Sequence, residues 1–148
     1  MNKTLIPFKG VGKYQFYQTV EDTISMLQED GDSFAIEKWS NEDASNPVPW
    51  IIIRTASGMN MFFANNRMFK IYVDGDFSGK LPNGIGIGMK MSDVVKVDSN
   101  IKYDDWEEDW QSPDGYWLED EPLNDTVLTI TIFIRELLND ELFEQYNW

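Results

Sequence analysis

Residues 50–73 read WIIIRTASGMNMFFANNRMFKIYV, and this stretch decides the fold. Its first run is rich in β-branched side chains, which favour extended strands. A Ser-Gly pair at 57–58 and an Asn-Asn pair at 65–66 divide it, and both pairs suit tight turns. The last run, residues 67–73, alternates apolar side chains onto one face. We therefore predict three consecutive antiparallel strands with short connections.

The sequence upstream of this stretch predicts a helix and a fourth strand. Thr19 can cap the helix, and acidic residues follow it in the first turn, where they face the positive end of the helix dipole. Gly31 is a typical helix stop. Apolar side chains recur between them at spacings of four and three, on one helical face: Val20, Ile24 and Leu27. Residues 34–39 then read as a strand, and a polar, proline-bearing loop at 41–49 connects it to the next.

The sequence downstream repeats this layout. Residues 84–95 (GIGIGMKMSDVV) share with residues 13–24 a short apolar strand followed by a helix with an acid in its first turn. An extended run, a proline-containing loop and a strand pair come next. The strongest strand in the chain, residues 126–134, closes the series, and we expect Leu128 on its core face with Val127 opposite. Slight identity leaves open that this order arises twice by chance.

These patterns predict an α+β fold with antiparallel β meanders and helices packed on one side. The chain of 148 residues fits one domain. Within it we expect two tandem strand-helix-meander half-repeats at 5–75 and 80–135, with an internal boundary at 74–83. Residues 136–148 read as a C-terminal amphipathic helix that docks on the body through its terminal aromatics.

The most unusual composition lies in residues 101–125. Ten of its residues are acidic and only Lys102 is basic, so this segment carries −9 of the chain's net charge of −14. Three of the six tryptophans also lie here. A solvating acidic tail has few aromatics, so this composition favours a folded surface that meets something basic. The alternative is that the tryptophans pack in the sheet while the acids keep its edges soluble.

The candidate partner-binding residues are the acids and aromatics of this segment: Asp104, Asp105, Trp106, Glu107, Glu108, Asp109, Trp110, Tyr116, Trp117, Glu119, Asp120 and Glu121. Strand alternation would place Trp106, Glu108 and Trp110 on one face. The same alternation puts Trp117, Glu119 and Glu121 opposite Tyr116 and Asp120. The carboxylates expected to point outward are Asp104, Glu108, Asp109, Glu119 and Glu121.

Other functional classes find little support in the sequence. The chain has neither histidine nor cysteine, which removes the commonest general base, most transition-metal sites and the usual nucleophilic pairs. We therefore expect no enzyme and no cofactor. The negative charge opposes nucleic acid and anionic lipid. No apolar run approaches the roughly 20 residues that span a membrane. A cysteine-free chain suits the reducing cytoplasm, although periplasmic proteins often lack cysteine too.

Two short motifs resemble ligand loops. The glycines of residues 84–88 lack the lysine-serine ending of a phosphate loop and the later glycine of a dinucleotide fingerprint. We expect them to let a strand pass close to a neighbour. Residues 74–79 match the first half of a calcium loop, but Ile85 stands where a bidentate glutamate is needed. A tight acidic turn is the better interpretation.

Residues 84–95, with the poorer copy at 13–24, give the chain a layout that resembles β-lactamase inhibitor protein and related small bacterial lipoprotein modules. That resemblance implies helices on one side of an antiparallel sheet whose open face grips a partner protein. The small, acidic, tryptophan-rich and cysteine-free character is also similar to bacterial immunity proteins. This second resemblance implies a cytoplasmic inhibitor of one cognate toxin, of the kind delivered by contact-dependent growth inhibition.

The function expected from the sequence is therefore inhibition of a basic protein toxin of the nuclease type. A nuclease is basic because it holds a phosphate backbone, and an acidic surface would both steer towards its cleft and cover it. The alternative is a non-catalytic structural or adaptor module of a phage or secretion system. The sequence leaves the oligomeric state open.

Overall fold

The computed structural model describes residues 3–40 and 48–148, so most of the predicted loop at 41–49 lies outside the described residues. The chain begins with a small antiparallel sheet of three two-residue strands: β1 (Leu5–Ile6), β2 (Gly10–Val11) and β3 (Tyr14–Gln15). The Leu5 backbone N–H donates to the carbonyl of Lys80 over 2.9 Å. This sheet is therefore tied to the segment that joins the two halves of the chain.

The first helix, α1, spans Val20–Asp30, and both predicted ends are confirmed. The backbone N–H of Asp22 donates to Thr19 Oγ1 over 3.2 Å, which satisfies one of the free donors of the first turn. Gly31 ends the helix at φ 67°, a left-handed conformation that glycine adopts without steric cost. The helix buries one stripe of side chains: Val20, Thr23 and Leu27.

Four strands follow α1, as predicted. They are β4 (Phe34–Trp39), β5 (Trp50–Thr55), β6 (Met59–Ala64) and β7 (Arg67–Val73). Each pairs antiparallel with the next in chain order, and a bulge interrupts the β6–β7 pairing at Phe62. The strands form a meander with β4 at its edge.

From its helix onward the second half has the same order of elements. The short apolar strand expected before that helix is wrong, because within residues 84–88 only Gly86 forms an isolated bridge, to Lys80. Helix α2 (Met91–Val97) is followed by β8 (Lys102–Asp104), β9 (Asp109–Ser112), β10 (Tyr116–Glu121) and β11 (Thr126–Phe133). These strands again pair antiparallel in chain order. The extended run expected after this helix is short, because β8 ends at Asp104 and the chain turns there.

The two meanders meet through β7 and β11 and form one antiparallel sheet of eight strands, in the order β4-β5-β6-β7-β11-β10-β9-β8. The fold is α+β, as the sequence predicted. Both meanders reach the centre of the sheet with their last strand, so β4 and β8 are the two edges. Because β7 and β11 run antiparallel, equivalent turns of the two meanders lie at opposite ends of the sheet.

The register separates two faces of the sheet. One cross-strand row joins Ile53, Met61, Ile71, Ile132 and Tyr116, and all five side chains are buried. Tyr116 Oη donates to Asp98, which directly follows α2, so this is the face on which α2 lies. We call it the core face.

The neighbouring row forms the other face of the sheet. It contains Arg54, Asn60, Tyr72, Thr131 and Trp117 in register across five strands. Successive residues of a strand point to opposite sides, so this row lies opposite the core face. We call it the outer face.

A β-bulge corrects one prediction about the last strand. The sequence alternation placed Leu128 in the core and Val127 opposite. The β10–β11 register shifts between Glu119 and Asp120, and this shift reverses the alternation beyond it. Val127 is consequently buried, whereas Leu128 is 45% exposed.

The C-terminal residues form two short pieces rather than the one helix predicted for 136–148. A 3₁₀ turn covers Arg135–Leu138, and α3 covers Asp140–Glu144. Asn139 separates the pieces and caps α3 by accepting from the Leu142 backbone N–H. The predicted docking does occur, because Trp148 stacks on Phe143 at 5.3 Å between ring centroids and also contacts Phe69.

Candidate partner-binding site

The acidic segment at 101–125 forms the outer strands β8, β9 and β10 of the second meander. The β8–β9 turn and the β10–β11 turn lie at the same end of the sheet, because antiparallel strands alternate in direction. Since β9 pairs with β10, the two hairpins are neighbours. We call residues 104–109 and 119–125 together the acidic tips.

The first tip is a five-residue turn that begins with a carboxylate. Asp104 Oδ1 accepts from the backbone N–H groups of Trp106 and Glu107, both at 2.9 Å. The Asp104 carbonyl accepts from the Glu108 N–H at 2.8 Å, and Glu108 has a left-handed φ of 56°. Aspartate is suited to this place because its short side chain can reach the backbone two or three residues ahead.

The second tip repeats this construction. Glu121 Oε2 accepts from the Asn124 N–H at 2.7 Å, and its carbonyl accepts from the Asp125 N–H at 2.8 Å. Asp125 is left-handed, with a φ of 55°. The five-residue turns 104–108 and 121–125 therefore both begin with an acidic residue and end with a left-handed acidic residue.

Each of these five-residue turns presents its third residue to solvent. Trp106 is 91% exposed and Leu123 is 92% exposed, the highest values among the large apolar side chains of the described residues. The turns hold their backbones through hydrogen bonds, while neither apex side chain packs on the protein. Exposed apolar side chains within a polar rim are typical of protein interaction sites.

Carboxylates surround both apex residues. Asp105, Glu107, Glu108 and Glu119 are exposed. Of the five carboxylates expected to point outward, Glu108 and Glu119 are exposed, whereas Asp104, Asp109 and Glu121 are half-buried. In Asp104 and Glu121 the cause is the turn itself, because their side chains bond the backbone.

A row of like charges crosses the outer face at this end of the sheet. Asp104 and Asp109 are directly paired across β8 and β9, and Glu119 lies on the same face of β10. Desolvation raises the pKa of Asp109, and the negative charges of Glu107, Asp104 and Glu119 raise it further, against a hydrogen bond from Gln111 that lowers it. This end of the sheet therefore carries negative potential that no salt bridge among the described residues compensates.

Among the described residues no lysine or arginine forms a salt bridge with the tips, although the charge of Glu119 acts on Lys70. In the described part of the chain the salt bridges join Lys13 to Asp30, Arg54 to Glu37 and Lys96 to Asp93, all outside the acidic tips. Lys102, the one base of the segment, is exposed on β8. A cationic partner surface would thus meet free carboxylates.

The structure separates the aromatic candidates that the sequence grouped. Tyr116 is 2% exposed in the core and bonds Asp98, so it cannot contact a partner directly. Trp110 is half-buried on the core face beside Tyr103, whose ring centroid is 5.4 Å away. Trp117 is half-buried on the outer face against Phe133. The expected common face of Trp106, Glu108 and Trp110 is wrong because a turn separates them.

Leu123 is the residue that sequence reasoning missed. It lies in a Pro-Leu-Asn-Asp run between two strands, and a leucine inside such a turn has no strand face to occupy. That position could have indicated its exposure. Trp39 was also passed over: it ends the edge strand β4 and is 50% exposed.

The two loop motifs have structural explanations. The close passage of a strand expected at the glycines is wrong for Gly84 and Gly88, because an added Cβ would meet nothing within 4 Å at either. Their φ values of 91° and 88° explain the glycines instead, since other residues rarely adopt them. Phe77 N–H closes a turn on the Asp74 carbonyl at 2.9 Å. Within residues 3–40 and 48–148, no group of three or more candidate ligand side chains is arranged to hold a metal ion. No helix in the same ranges is long and apolar enough to cross a membrane.

Comparison of the chain with protein-family models, with curated proteins and with solved structures finds no match.

Proposed function

We propose that this protein is an inhibitory binding protein of the immunity class, which neutralises a basic protein toxin of the nuclease type in the cytoplasm. The observation that carries the proposal is the pair of acidic tips, in which one turn geometry occurs twice and presents Trp106 and Leu123 to solvent. Isolated exposed apolar residues are common, but two at equivalent apex positions on neighbouring hairpins make a bidentate anchor.

The chemistry of the tips specifies a basic partner. Apolar anchors supply affinity when they enter pockets of the partner, and surrounding carboxylates supply orientation and a fast, salt-sensitive encounter. A nuclease cleft combines both requirements, because it is lined with cations for phosphate and must lose access to its substrate when covered. The segment's −9 charge within a chain of −14 fits this encounter.

The test begins with a toxin encoded beside this protein, co-expressed and assayed for complex formation and nuclease inhibition. We expect Trp106→Ala to weaken binding by roughly 2 kcal/mol or more, as for a central aromatic anchor. Its thermal stability should not change, because the side chain is 91% exposed. The matched control is Val97→Ala on α2, an apolar residue that is 46% exposed. It precedes Asp98, which accepts from Ser112 at the end of β9 that lies away from the tips.

The charge contribution is separated by Glu107→Ala, Glu108→Ala and Asp109→Ala combined. We expect a lower association rate and a shallower salt dependence, because the steering charges are removed. Unchanged binding and unchanged salt dependence would remove the tips from the mechanism. A complex that forms without inhibiting the toxin would favour the adaptor function.

A further inference from the structure

Lys70 lies near the centre of the outer face, on the central strand β7. The register places Phe62 directly opposite on β6 and Phe133 directly opposite on β11. Its ammonium lies 4.2 Å from the ring centroid of Phe62 and 5.5 Å from that of Trp50. A single cation is thus held among aromatic rings on the side of the sheet away from α2.

This ammonium has no acceptor among the described residues. It forms no hydrogen bond and no salt bridge there, whereas Arg54 on the same face bonds Glu37 at 2.8 Å. Burial lowers the pKa of Lys70 to about 8, and the charge of Glu119 opposes that shift. Lys70 therefore remains mostly protonated at neutral pH although much of its hydration is gone.

Aromatic rings compensate such a charge only in part. An ammonium has three N–H donors, and a ring face attracts the cation without accepting three directed hydrogen bonds. A desolvated charge without a hydrogen-bonded counter-charge is costly, and a carboxylate brought to it forms a strong charge-assisted hydrogen bond. Lys70 is in this sense a receptor for an anion.

The surroundings fit a protein partner as the source of that anion. Trp39 makes an edge contact with Phe62 at 6.3 Å and is 50% exposed, so apolar area lies beside the cation. Trp50 and Tyr72 are half-buried on the same face. Aromatic area around a polar centre is the composition of a protein interface core.

We propose that the outer face around Lys70 docks a partner protein and that Lys70 receives an aspartate or glutamate side chain of that partner. The protein nature of the occupant rests on the proposed function. The acidic tips and Lys70 are two regions of opposite charge. Both would fix the orientation of a partner whose charges match them.

The experiment follows the Lys70 side-chain resonances by NMR in the full-length protein. The probes are the blocked peptides acetyl-Ala-Glu-Ala-amide and acetyl-Ala-Gln-Ala-amide, with propionate as a small carboxylate. We expect the glutamate peptide to shift the Lys70 signals and to bind about tenfold or more tightly than the glutamine peptide, because only it gains a charge-assisted hydrogen bond.

Three variants complete the design. For Lys70→Gln the backbone amide signals of the neighbouring Phe62 and Phe133 are followed in both wild type and variant, and the variant should no longer discriminate between the peptides. Circular dichroism verifies that it is folded. Lys102→Gln removes an exposed lysine of β8 and should leave the discrimination intact. Glu42→Gln with Asp43→Asn controls for a carboxylate from the chain itself, since both residues lie outside the described ones.

Each other outcome overturns the inference. Equal or absent shifts with the two peptides would mean that Lys70 is not an anion receptor. Propionate binding as tightly as the glutamate peptide would make the occupant a small carboxylate. A shift of the Lys70 signals in the Glu42 and Asp43 variant would make it the chain's own acid. None of these results depends on the acidic tips, so failure here is distinguishable from failure of the proposed function.

Discussion

Asp98 is the buried charge that joins helix to sheet at the residue scale. It is 6% exposed and accepts from Ser112 Oγ at 2.6 Å and from Tyr116 Oη, while its Oδ1 accepts from the Asn100 N–H at 3.1 Å. Burial alone would raise the pKa of Asp98, but these hydrogen bonds outweigh it and the net shift is downward. Folding therefore stabilises the ionised form of Asp98.

Asp98→Asn should lower the free energy of unfolding by about 1–3 kcal/mol at neutral pH, because the amide leaves hydroxyl donors without acceptors. A pKa that is lower in the folded state stabilises above the unfolded pKa, and that stability is lost as pH falls through the folded pKa. The difference between wild type and variant in urea unfolding should therefore shrink on acidification below about pH 4.

Asp93→Asn is the control for that measurement. Asp93 is exposed on α2 and lies 3.8 Å from Lys96, a surface pair worth less than about 0.5 kcal/mol. Equal effects of the two variants, or an Asp98 effect that does not change with pH, would contradict the assigned role of the carboxylate.

Hydroxyl-to-aspartate contacts recur at the element scale. In the first half Ser57 donates to Asp32, just beyond α1, at 2.8 Å. In the second half Ser112 donates to Asp98, just beyond α2. Each contact joins the end of a helix to the turn between the second and third strands of its meander. This equivalence supports the half-repeat hypothesis in a way that sequence identity does not.

The row of Asp104, Asp109 and Glu119 predicts a stability cost across three strands. The raised pKa of Asp109 means that the folded state favours its protonated form, so stability falls as pH rises through that pKa. Asp109→Asn should therefore increase the free energy of unfolding at neutral pH by up to about 1 kcal/mol, less where solvent screens the charges. Thermal unfolding of the wild type and the variant at two pH values measures this change in the free energy of unfolding.

The gain from Asp109→Asn should vanish in acid, where the carboxylate is protonated, and shrink in high salt. Asp76→Asn, in the exposed turn after β7, is the control for removing an acidic charge and should change the free energy of unfolding at neutral pH by less than about 0.5 kcal/mol. A destabilised Asp109→Asn variant would mean that the row is internally compensated. Self-repulsion within the row is otherwise a reason to expect a cation from outside.

Elements were predictable where one local cause dominates. The Thr19 and Gly31 caps set the bounds of α1, and turn pairs at 57–58 and 65–66 set the strands of the first meander. Prediction failed where a non-local pairing decides, as at the bulge beside Glu119, which moved Leu128 outward. The acidic tips were located as a segment but not as a geometry, since a left-handed glutamate at 108 has no sequence signature.

The whole molecule has one buried cluster that includes side chains of both meanders. The segment at 74–83, which the sequence indicated as a boundary between halves, contributes Phe77 at 6% exposure and Leu81 at 2% to that cluster. Glycines and a proline suggested a linker there, and periodicity cannot reveal two apolar side chains that pack between halves. The single domain stays a prediction, and a variant in this segment tests it.

Phe77→Ala should lower the free energy of unfolding by about 3–5 kcal/mol, because it leaves a cavity where both halves meet. One cooperative unit requires that both meanders lose this stability together. Hydrogen exchange as a function of urea gives the free energy of opening at single amides. It should therefore decrease equally at Met61 in β6 and at Leu118 in β10. Leu123→Ala removes a leucine that is 92% exposed, so it should change the free energy of opening at either amide by less than about 0.5 kcal/mol. Separate transitions, or a loss confined to one meander, would show that the half-repeats are independent folding units.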